Sequence, residues 1–316
     1  MFTKLKIFTG TANPKLAKEV SSFAGIPLSS AEVFKFSNDD TFVKINDNVR
    51  GTDVFIIQPT CYPVNDNLME LLIMIDSLKR ASARRITCII PYYGYARSDK
   101  KDQPRVPITA KLVADLITVA GCDRLIALDL HADQIQGFFN IPVDHLYSMP
   151  VFAKHLQYMG FDPEEMVIVS PDSGGANRAR YFANRLNCAF AVGDKRRTGN
   201  NNKAEVLNVI GDVKDKIAVL YDDIIDTAGS LTKMALKLQE EGAKKIYACC
   251  VHGVLSQNAH KNIENSPIDT LFITDSIPLR EDRPDCEKII QLSIAEMLAL
   301  AIKKVHLEES ISTLFK

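Results

Sequence analysis

This chain of 316 residues has a formal net charge of only -1, and it lacks C-x-x-C cysteine pairs and long apolar runs. Lys and Arg total 38 against 39 acidic residues, so no overall field attracts a nucleic acid or a membrane surface. The seven cysteines include no C-x-x-C pair, and we expect reduced thiols among apolar residues rather than disulfides or a zinc site. No apolar run reaches the roughly 18 residues of a membrane span, and the N-terminus looks like a first strand rather than a signal peptide. We therefore expect a cytoplasmic protein whose partners are small molecules or copies of itself.

Short runs rich in β-branched residues alternate with helical patterns along the whole chain. Such alternation predicts an α/β fold with mostly parallel sheets flanked by helices, in which ligands bind at the carboxyl ends of strands. The two halves of the chain show the same alternation of strands and helices, so we expect two related domains, 1–148 and 149–316. The last helix is able to pack back on the N-terminal domain in this arrangement. The predicted strands are 5–8, 54–58, 86–90, 124–128, 166–169, 189–192, 217–221, 246–251 and 270–273, and the predicted helices include 67–82, 109–120, 176–186 and 230–241.

The most informative segment begins with an apolar run that stops at Asp222 and Asp223 and continues as a small-residue loop before a helical pattern. A helix N-terminus after such a loop offers N–H groups and a favourable dipole to a phosphate. Ionised carboxylates only accept hydrogen bonds, and ribose hydroxyls donate them. The segment therefore predicts a ribose 5-phosphate site, whereas an ordinary capping turn would need one acid rather than three. The loop is Asp226-Thr227-Ala228-Gly229-Ser230.

Three further groups of residues suit a polyphosphate. Lys195, Arg196 and Arg197 precede a polar run, 198–202, that we expect to be a mobile loop able to close over phosphates, although taken alone a solvated basic turn is the better interpretation. The segment 91–105 combines tyrosines and cations, a weak signal by itself, and some of its tyrosines should serve packing. His131 and Asp172 each follow a predicted strand and suit Mg²⁺, although a lone histidine is more often a structural hydrogen-bonding group.

Strings along nearly the whole chain resemble, in collinear order, the ribose-phosphate pyrophosphokinases, or phosphoribosyl pyrophosphate (PRPP) synthetases. The strings that carry the resemblance include KFSNDD, IPYYGYARSDKK, ALDLHADQIQGFF, VSPDSGGANRAR, DKRR and the ribose phosphate loop. The resemblance implies two phosphoribosyltransferase-like domains, a homohexamer built from dimers, and transfer of the pyrophosphoryl group of Mg-ATP to O1 of ribose 5-phosphate. It also implies that Asp222, Asp223 and the loop hold ribose 5-phosphate, that Lys195 and Arg197 are catalytic, and that His131 and Asp172 bind the metal. The ATP residues that it implies are Phe36, Asn38, Asp39, Asp40, Arg97, Ser98 and Asp99.

The chain departs from the family pattern at the ATP segments. Asn38-Asp39-Asp40 stands where the family usually has D-G-E, and Ser98 stands where it usually has Gln, so the affinity or preference for the nucleotide should differ. Two alternatives stay open on the residues alone: a catalytically impaired regulatory subunit, and a salvage phosphoribosyltransferase that would consume PRPP. The second is usually half this length and has no use for ALDLHADQIQGFF.

The last expectation concerns regulation. Segments 48–50, 82–84 and 310–315 match, with substitutions, regions that in the resembled family meet at a subunit interface and bind phosphate as an activator or ADP as an inhibitor. A guanidinium fork and hydroxyl donors suit an anion and leave no room for a sugar. A solvated C-terminal tail is the alternative. The residues expected at this site are Arg50, Ser82, Ser310 and Ser312.

Overall fold

A computed structural model describes residues 4–198 and 204–315, with the backbone alone at 195–198, 204–207 and 315. The described residues divide into two compact units. Unit 1 contains the residues up to 147, together with 276–278 and those from 293 onward. Unit 2 contains 148–275 and 279–292. No helix among the described residues is both long and apolar enough to cross a membrane.

The strands and helices alternate along most of the chain. The strands are β1 (Leu5–Thr9), β2 (Ala31–Lys35), β3 (Thr41–Ile45), β4 (Asp53–Ile57), β5 (Arg85–Ile90), β6 (Arg124–Leu128), β7 (Val143–Leu146), β8 (Met166–Ser170), β9 (Ala189–Thr198), β10 (Ala204–Ile210), β11 (Ile217–Ile225), β12 (Lys245–Gly253), β13 (Thr270–Thr274) and β14 (Ile289–Leu292). The α-helices are α1 (Pro14–Ala24), α2 (Val64–Arg80), α3 (Thr109–Ala120), α4 (Met149–Tyr158), α5 (Ala176–Leu186), α6 (Gly229–Glu240), α7 (Ala259–Glu264) and α8 (Ala295–His306).

Unit 1 is built on a parallel sheet with the strand order β1-β4-β5-β6-β7. All five residues of β4 are buried, as expected for a central strand covered on both faces. The apolar faces of α2 and α3 pack on the sheet, and their buried residues join those of the strands in one core. A separate antiparallel hairpin, β2–β3, contacts α2. The sequence did not predict this hairpin, because its two short strands have no fully buried residue and lack a continuous apolar run.

Unit 2 is built on a sheet with the strand order β10-β9-β8-β11-β12-β13-β14, parallel except for the antiparallel pair β9–β10. The predicted α/β class with mostly parallel sheets is therefore confirmed. Strand β9 was predicted to end at residue 192, but its backbone continues to Thr198 and pairs with β10. The extension was missed because a polar, basic run carries no apolar alternation. Of the run expected to be a mobile loop, residues 199–202 lie outside the described part of the chain.

Helix α8 belongs to unit 1, where it packs against α1. Its last turn is tied to the amino ends of two strands. His306 Nδ1 lies 2.8 Å from Asp53 Oδ2, and Arg85 Nη2 donates to the carbonyl of Val305 at 3.1 Å. Arg85 also pairs with the buried carboxylate of Asp53, whose hydrogen bonds raise the pKa of the guanidinium further. The end of α8 is thereby fixed at the amino edge of the unit 1 sheet.

Candidate active site

Two adjacent carboxylates lie near the carboxyl end of β11, which runs between β8 and β12. The sequence placed Asp222 and Asp223 at the end of a strand, and the structure extends β11 through both, as far as Ile225. Asp223 is buried, with 6% of its side chain exposed, and its Oδ1 lies 3.1 Å from Nη2 of Arg178 on α5. Asp222 Oδ1 accepts the N–H of Asp223 at 2.9 Å. One acid of the pair therefore has a cation beside it, and the other faces mainly acids.

The surroundings of Asp222 disfavour its charged form. Burial raises the pKa of Asp222 well above its ordinary value, and the neighbouring charges of Asp223 and Asp172 raise it further. A carboxyl group that holds its proton donates as well as accepts. In its neutral form, Asp222 can donate to a ligand oxygen while Asp223 accepts.

The loop after β11 has the strand–loop–helix form that the sequence predicted. Ala228 is the residue before α6, and it adopts a left-handed conformation with φ +62°. A methyl group added to Gly229 would meet only the Thr227 hydroxyl, at 3.7 Å, so the backbone is open on that side. The hydroxyl of Thr232 donates to the Ala228 carbonyl at 2.9 Å and holds the first turn of α6. The loop therefore presents open backbone at a helix N-terminus, as anion binding requires.

Asp172 follows β8 and organises the turn that leads into α5. Its Oδ1 accepts the N–H groups of Gly174 at 2.9 Å and Gly175 at 3.2 Å, while its carbonyl accepts the Ser170 hydroxyl at 2.6 Å. The side chain is exposed, and its charge acts on Asp222. Unit 2 thus brings a turn carboxylate, an acidic pair and a helix N-terminus to one edge of its sheet. No group of three potential metal ligands is found among the described residues.

In unit 1, the residues predicted to contact ATP fall in two places. The first is the turn of the β2–β3 hairpin, where Asn38 Nδ2 donates to Asp40 at 2.6 Å and Lys35 pairs with Asp39 at 2.8 Å. Asp39 has a positive φ of 72°, and the turn closes through the backbone of Phe36. Phe36 is 49% exposed and packs edge-on against Phe34 and Phe42. The substituted residues of the turn therefore bond to partners within the hairpin.

The second place is the loop after β5, which holds Arg97, Ser98 and Asp99. The Ser98 hydroxyl accepts the N–H of Thr109 at 3.2 Å and so supplies the cap that Ile108 cannot give to α3. Asp99 is buried and accepts a hydrogen bond from Gln134 at 3.3 Å.

The side chain of Tyr93, in the same loop, is buried and donates to the carbonyl of Ala110 at 2.9 Å, so this tyrosine serves packing as expected.

His131 lies three residues beyond β6, at the same edge of the unit 1 sheet. The segment that carries it is fixed by β7: the Asp129 N–H donates to the Leu146 carbonyl, and the Leu130 N–H donates to His145 Nε2, both at 2.9 Å. His145 is thus a structural hydrogen-bonding residue. His131 and Asp172 belong to different units, and each stays a separate prediction.

The predicted catalytic residues Lys195 and Arg197 are described by their backbone only. Both lie in β9, opposite Leu207 and Glu205 of β10, beyond residue 192, where the strand was predicted to end. Their side chains lie outside the described part of the chain, so their role stays a prediction.

Comparison with known proteins identifies the family. The N-terminal domain of ribose phosphate pyrophosphokinase matches residues 5–121, and the phosphoribosyl synthetase-associated domain matches residues 198–316. The ribose-phosphate pyrophosphokinase of Clostridium tetani is 54% identical over 98% of this chain and 97% of its own. That of Thermotoga maritima is 52% identical over 99% of this chain and 98% of its own. The chain belongs to the ribose-phosphate pyrophosphokinase family.

A solved structure agrees with this assignment. The crystal structure of phosphoribosylpyrophosphate synthetase from Mycobacterium smegmatis matches with a TM-score of 0.90 at 40% identity, over 96% of this chain and 99% of that chain. The predicted family, fold class and enzyme class are therefore confirmed.

The four residues predicted to bind a regulatory anion fall into two pairs, both in unit 1. Arg50 and Ser82 lie at the amino ends of β4 and β5, where the N–H of Gly51 donates to the Ser82 carbonyl at 2.9 Å. The hydroxyls of Ser310 and Ser312 are 2.8 Å apart. They line a cavity of about 550 Å³ whose other lining residues are Arg85, Arg124, Asp144, Val305, Glu308, Glu309 and Ile311.

The charged residues that line this cavity do not form a simple anion site. Arg124 is already paired with Asp144 at 2.6 Å, and Arg85 with Asp53 at 2.5 Å. Because Glu308 and Glu309 also line the cavity, its net charge does not favour an anion. The part of the expected site that suits an anion is the Arg50 end.

Reasoning from the sequence missed three residues that hold the acidic site together. Arg178 pairs with Asp223, Ser256 binds Asp226, and the Asn262 amide donates to the Thr227 carbonyl at 2.9 Å. Arg178 lies in the string VSPDSGGANRAR, in which the sequence predicts a role for Asp172 alone. Ser256 lies in the irregular segment after β12 and Asn262 lies in the short helix α7, and no local sequence pattern predicts their contacts with the loop after β11.

Proposed function

We propose that the chain makes PRPP by transferring the β,γ-pyrophosphoryl group of Mg-ATP to O1 of ribose 5-phosphate. The observation that supports this most directly is the acidic pair followed by the open loop Asp226–Ser230 at the edge of the unit 2 sheet. A phosphate suits the loop backbone and the α6 N-terminus, and the ribose hydroxyls suit Asp222 and Asp223, which together donate and accept.

In the reaction, the C1 hydroxyl of the ribose attacks the β-phosphorus in line. The bond between the β-phosphorus and the α–β bridging oxygen breaks, AMP leaves, and the hydroxyl proton passes to solvent. Such a transfer asks for positioning and for stabilisation of spreading charge. We assign the charge stabilisation to Lys195 and Arg197, and the binding of ATP to the hairpin turn and to the loop containing Arg97, Ser98 and Asp99.

Mg²⁺ is the cofactor that this reaction requires. Mg²⁺ keeps most of its waters and takes one or two protein ligands, and the exposed Asp172 carboxylate has the hard oxygen donors that it prefers. We propose Asp172 in unit 2 and His131 in unit 1 as separate candidate ligands of Mg²⁺, which would neutralise charge on the phosphates of ATP. Cytoplasmic location, a homohexamer, and regulation by phosphate or ADP belong to the same proposal.

The experiment is to incubate the purified chain with Mg-ATP, ribose 5-phosphate and phosphate and to measure AMP and PRPP. Equal amounts of both products are expected. Binding of both substrates without products would identify an impaired regulatory subunit, and release of pyrophosphate from PRPP and a nucleobase would identify a salvage phosphoribosyltransferase. Either result would refute the proposal.

A further inference from the structure

The segment that follows β12 forms hydrogen bonds to the start of the loop Asp226–Ser230. The N–H groups of Val254 and Leu255 donate to the carbonyl of Ile225 at 2.9 and 3.2 Å, and the N–H of Ser256 donates to the carbonyl of Asp226 at 3.0 Å. The Ser256 hydroxyl also binds the Asp226 carboxylate. The first half of the loop is thus fixed mainly through backbone groups, which side-chain substitution leaves in place.

The next carbonyl along the loop, that of Thr227, is instead bound by a side chain. The donor is Nδ2 of Asn262, at 2.9 Å, on the short helix α7. In a planar trans peptide, the carbonyl of one residue and the N–H of the next point in opposite directions. A carbonyl of Thr227 directed at Asn262 therefore directs the N–H of Ala228 away from it.

This orientation matters because Ala228 is in the left-handed region, with φ +62°. A residue with a Cβ is strained there, and such a conformation persists only where the surroundings fix it. The Thr232 hydroxyl holds the carbonyl of Ala228, on the far side of the strained residue, at 2.9 Å. Asn262 holds the peptide on the near side, so the two bonds together define the rotation of Ala228.

We propose that Asn262 is a positioning residue for ribose 5-phosphate, and that it acts by fixing the Thr227–Ala228 peptide so that the loop presents its N–H groups to the sugar phosphate. This inference rests on the proposed function and adds a residue from outside the loop. Asn262 touches no substrate in this assignment, since it acts through the Thr227 carbonyl. Its effect should therefore fall on ribose 5-phosphate and leave ATP alone.

The decisive variant is Asn262→Asp, which keeps the shape of the side chain but places a carboxylate oxygen against the Thr227 carbonyl. The matched control is Asn265→Asp, which adds the same charge to the same helix at its exposed C-cap residue. Asn262 is only partly exposed, so Asn262→Leu, which removes the donor without adding charge, gives the answer if Asn262→Asp does not fold.

The measurements use the full chain: the melting temperature, KM for each substrate, kcat, and calorimetric titration of ribose 5-phosphate. For Asn262→Asp we expect KM and Kd for ribose 5-phosphate to rise about tenfold or more, with KM for ATP and kcat within about threefold of wild type, because the loop binds ground state and transition state alike. Asn265→Asp should match wild type. A folded Asn262 variant with unchanged KM for ribose 5-phosphate, or with equal losses for both substrates, would overturn the inference. A wild-type chain that binds no ribose 5-phosphate would instead overturn the proposed function.

Discussion

The two acids of β11 should respond in opposite ways to the same isosteric substitution. Asp223→Asn removes the partner of Arg178, whereas Asp222→Asn replaces a carboxyl group that already favours its neutral form. The asparagine at 222 keeps an oxygen to accept the N–H of Asp223, a bond of 2.9 Å in the structure. We therefore expect Asp223→Asn to lower the free energy of unfolding and Asp222→Asn to preserve or raise it.

The size of the loss follows from the burial of the ion pair. Removing one partner of a fully buried pair costs about 3–5 kcal/mol, and an exposed pair contributes about 0–1 kcal/mol. Asp223 is 6% exposed but Arg178 is 29% exposed, so water screens the cation and relieves part of its loss. We expect about 2 kcal/mol, or a fall of about 4–8 °C in the melting temperature of a domain of this size. Asp222→Asn should stay within about 1 kcal/mol of wild type.

The raised pKa of Asp222 also predicts how the stability of Asp222→Asn relative to wild type changes with pH. The unfolded chain ionises Asp222 near its ordinary pKa, and the folded chain keeps the proton to higher pH because burial and acidic neighbours raise its pKa. The stability that this group contributes is therefore complete below the unfolded pKa and is lost as the pH rises through the folded pKa. Asp222→Asn cannot ionise, so its melting temperature relative to wild type should become more favourable as the pH rises.

Calorimetry of the three proteins without ligand between about pH 5 and pH 8 tests this reasoning. If Asp222→Asn loses as much stability as Asp223→Asn, or if its difference from wild type does not change with pH, the assignment of the neutral acid is wrong. Titration with ribose 5-phosphate adds a functional test. Asp223→Asn should weaken that ligand by roughly 1–3 kcal/mol and leave ATP almost unaffected, since an amide cannot accept as a carboxylate does, whereas Asp222→Asn should weaken it less because an amide, like a neutral carboxyl group, both donates and accepts.

Three other predictions concern catalysis, the metal and regulation. Lys195→Ala should lower kcat by about 10²-fold or more with little change in KM, whereas Lys214→Ala, at an exposed position of unit 2, should not; a kcat for Lys195→Ala within about threefold of wild type would remove that residue from the mechanism. Asp172→Ala and His131→Ala should each raise the Mg²⁺ concentration needed for half-maximal activity, and an unchanged Mg²⁺ titration would exclude the substituted residue as a ligand. Activity should rise with phosphate at fixed ionic strength, and Arg50→Ala should abolish that rise without altering ribose 5-phosphate binding; a wild-type enzyme indifferent to phosphate would exclude the regulatory site.

Elements with a strong local signal were predicted closely. Helices α3 and α5 have the predicted bounds, 109–120 and 176–186, because glycine and asparagine in the left-handed conformation end them. The strand–loop–helix around Asp222 was predicted because apolar β-branched residues, acids, small residues and helical periodicity follow in order. The hairpin β2–β3 was not predicted, because its two five-residue strands have no fully buried residue to mark them.

Contacts between distant segments could not be read from the sequence. The bond from Asn262 to Thr227 joins residues 35 positions apart, and an asparagine on a short helix looks like any solvated polar residue. Ser98 is a different case, because the family motif predicts that it contacts the nucleotide. In the structure, its hydroxyl contacts the first turn of α3. A side chain can serve both purposes, and the structure shows the partner of Ser98 at the first turn of α3.

The positions of the proposed sites within unit 1 constrain how phosphate would act. Arg50 and Ser82 lie at the amino ends of β4 and β5, while Asp99 and His131 follow the carboxyl ends of β5 and β6. A five-residue strand spans about 17 Å, several times the reach of a phosphate ion. An anion at Arg50 therefore cannot touch a nucleotide at the other edge of the same sheet. Any phosphate effect on ATP must come from a change in conformation or assembly that both ligands favour, and coupling of that kind is reciprocal. Saturation with ATP should then tighten phosphate binding to the wild-type chain, and it should leave phosphate binding to Arg50→Ala unchanged.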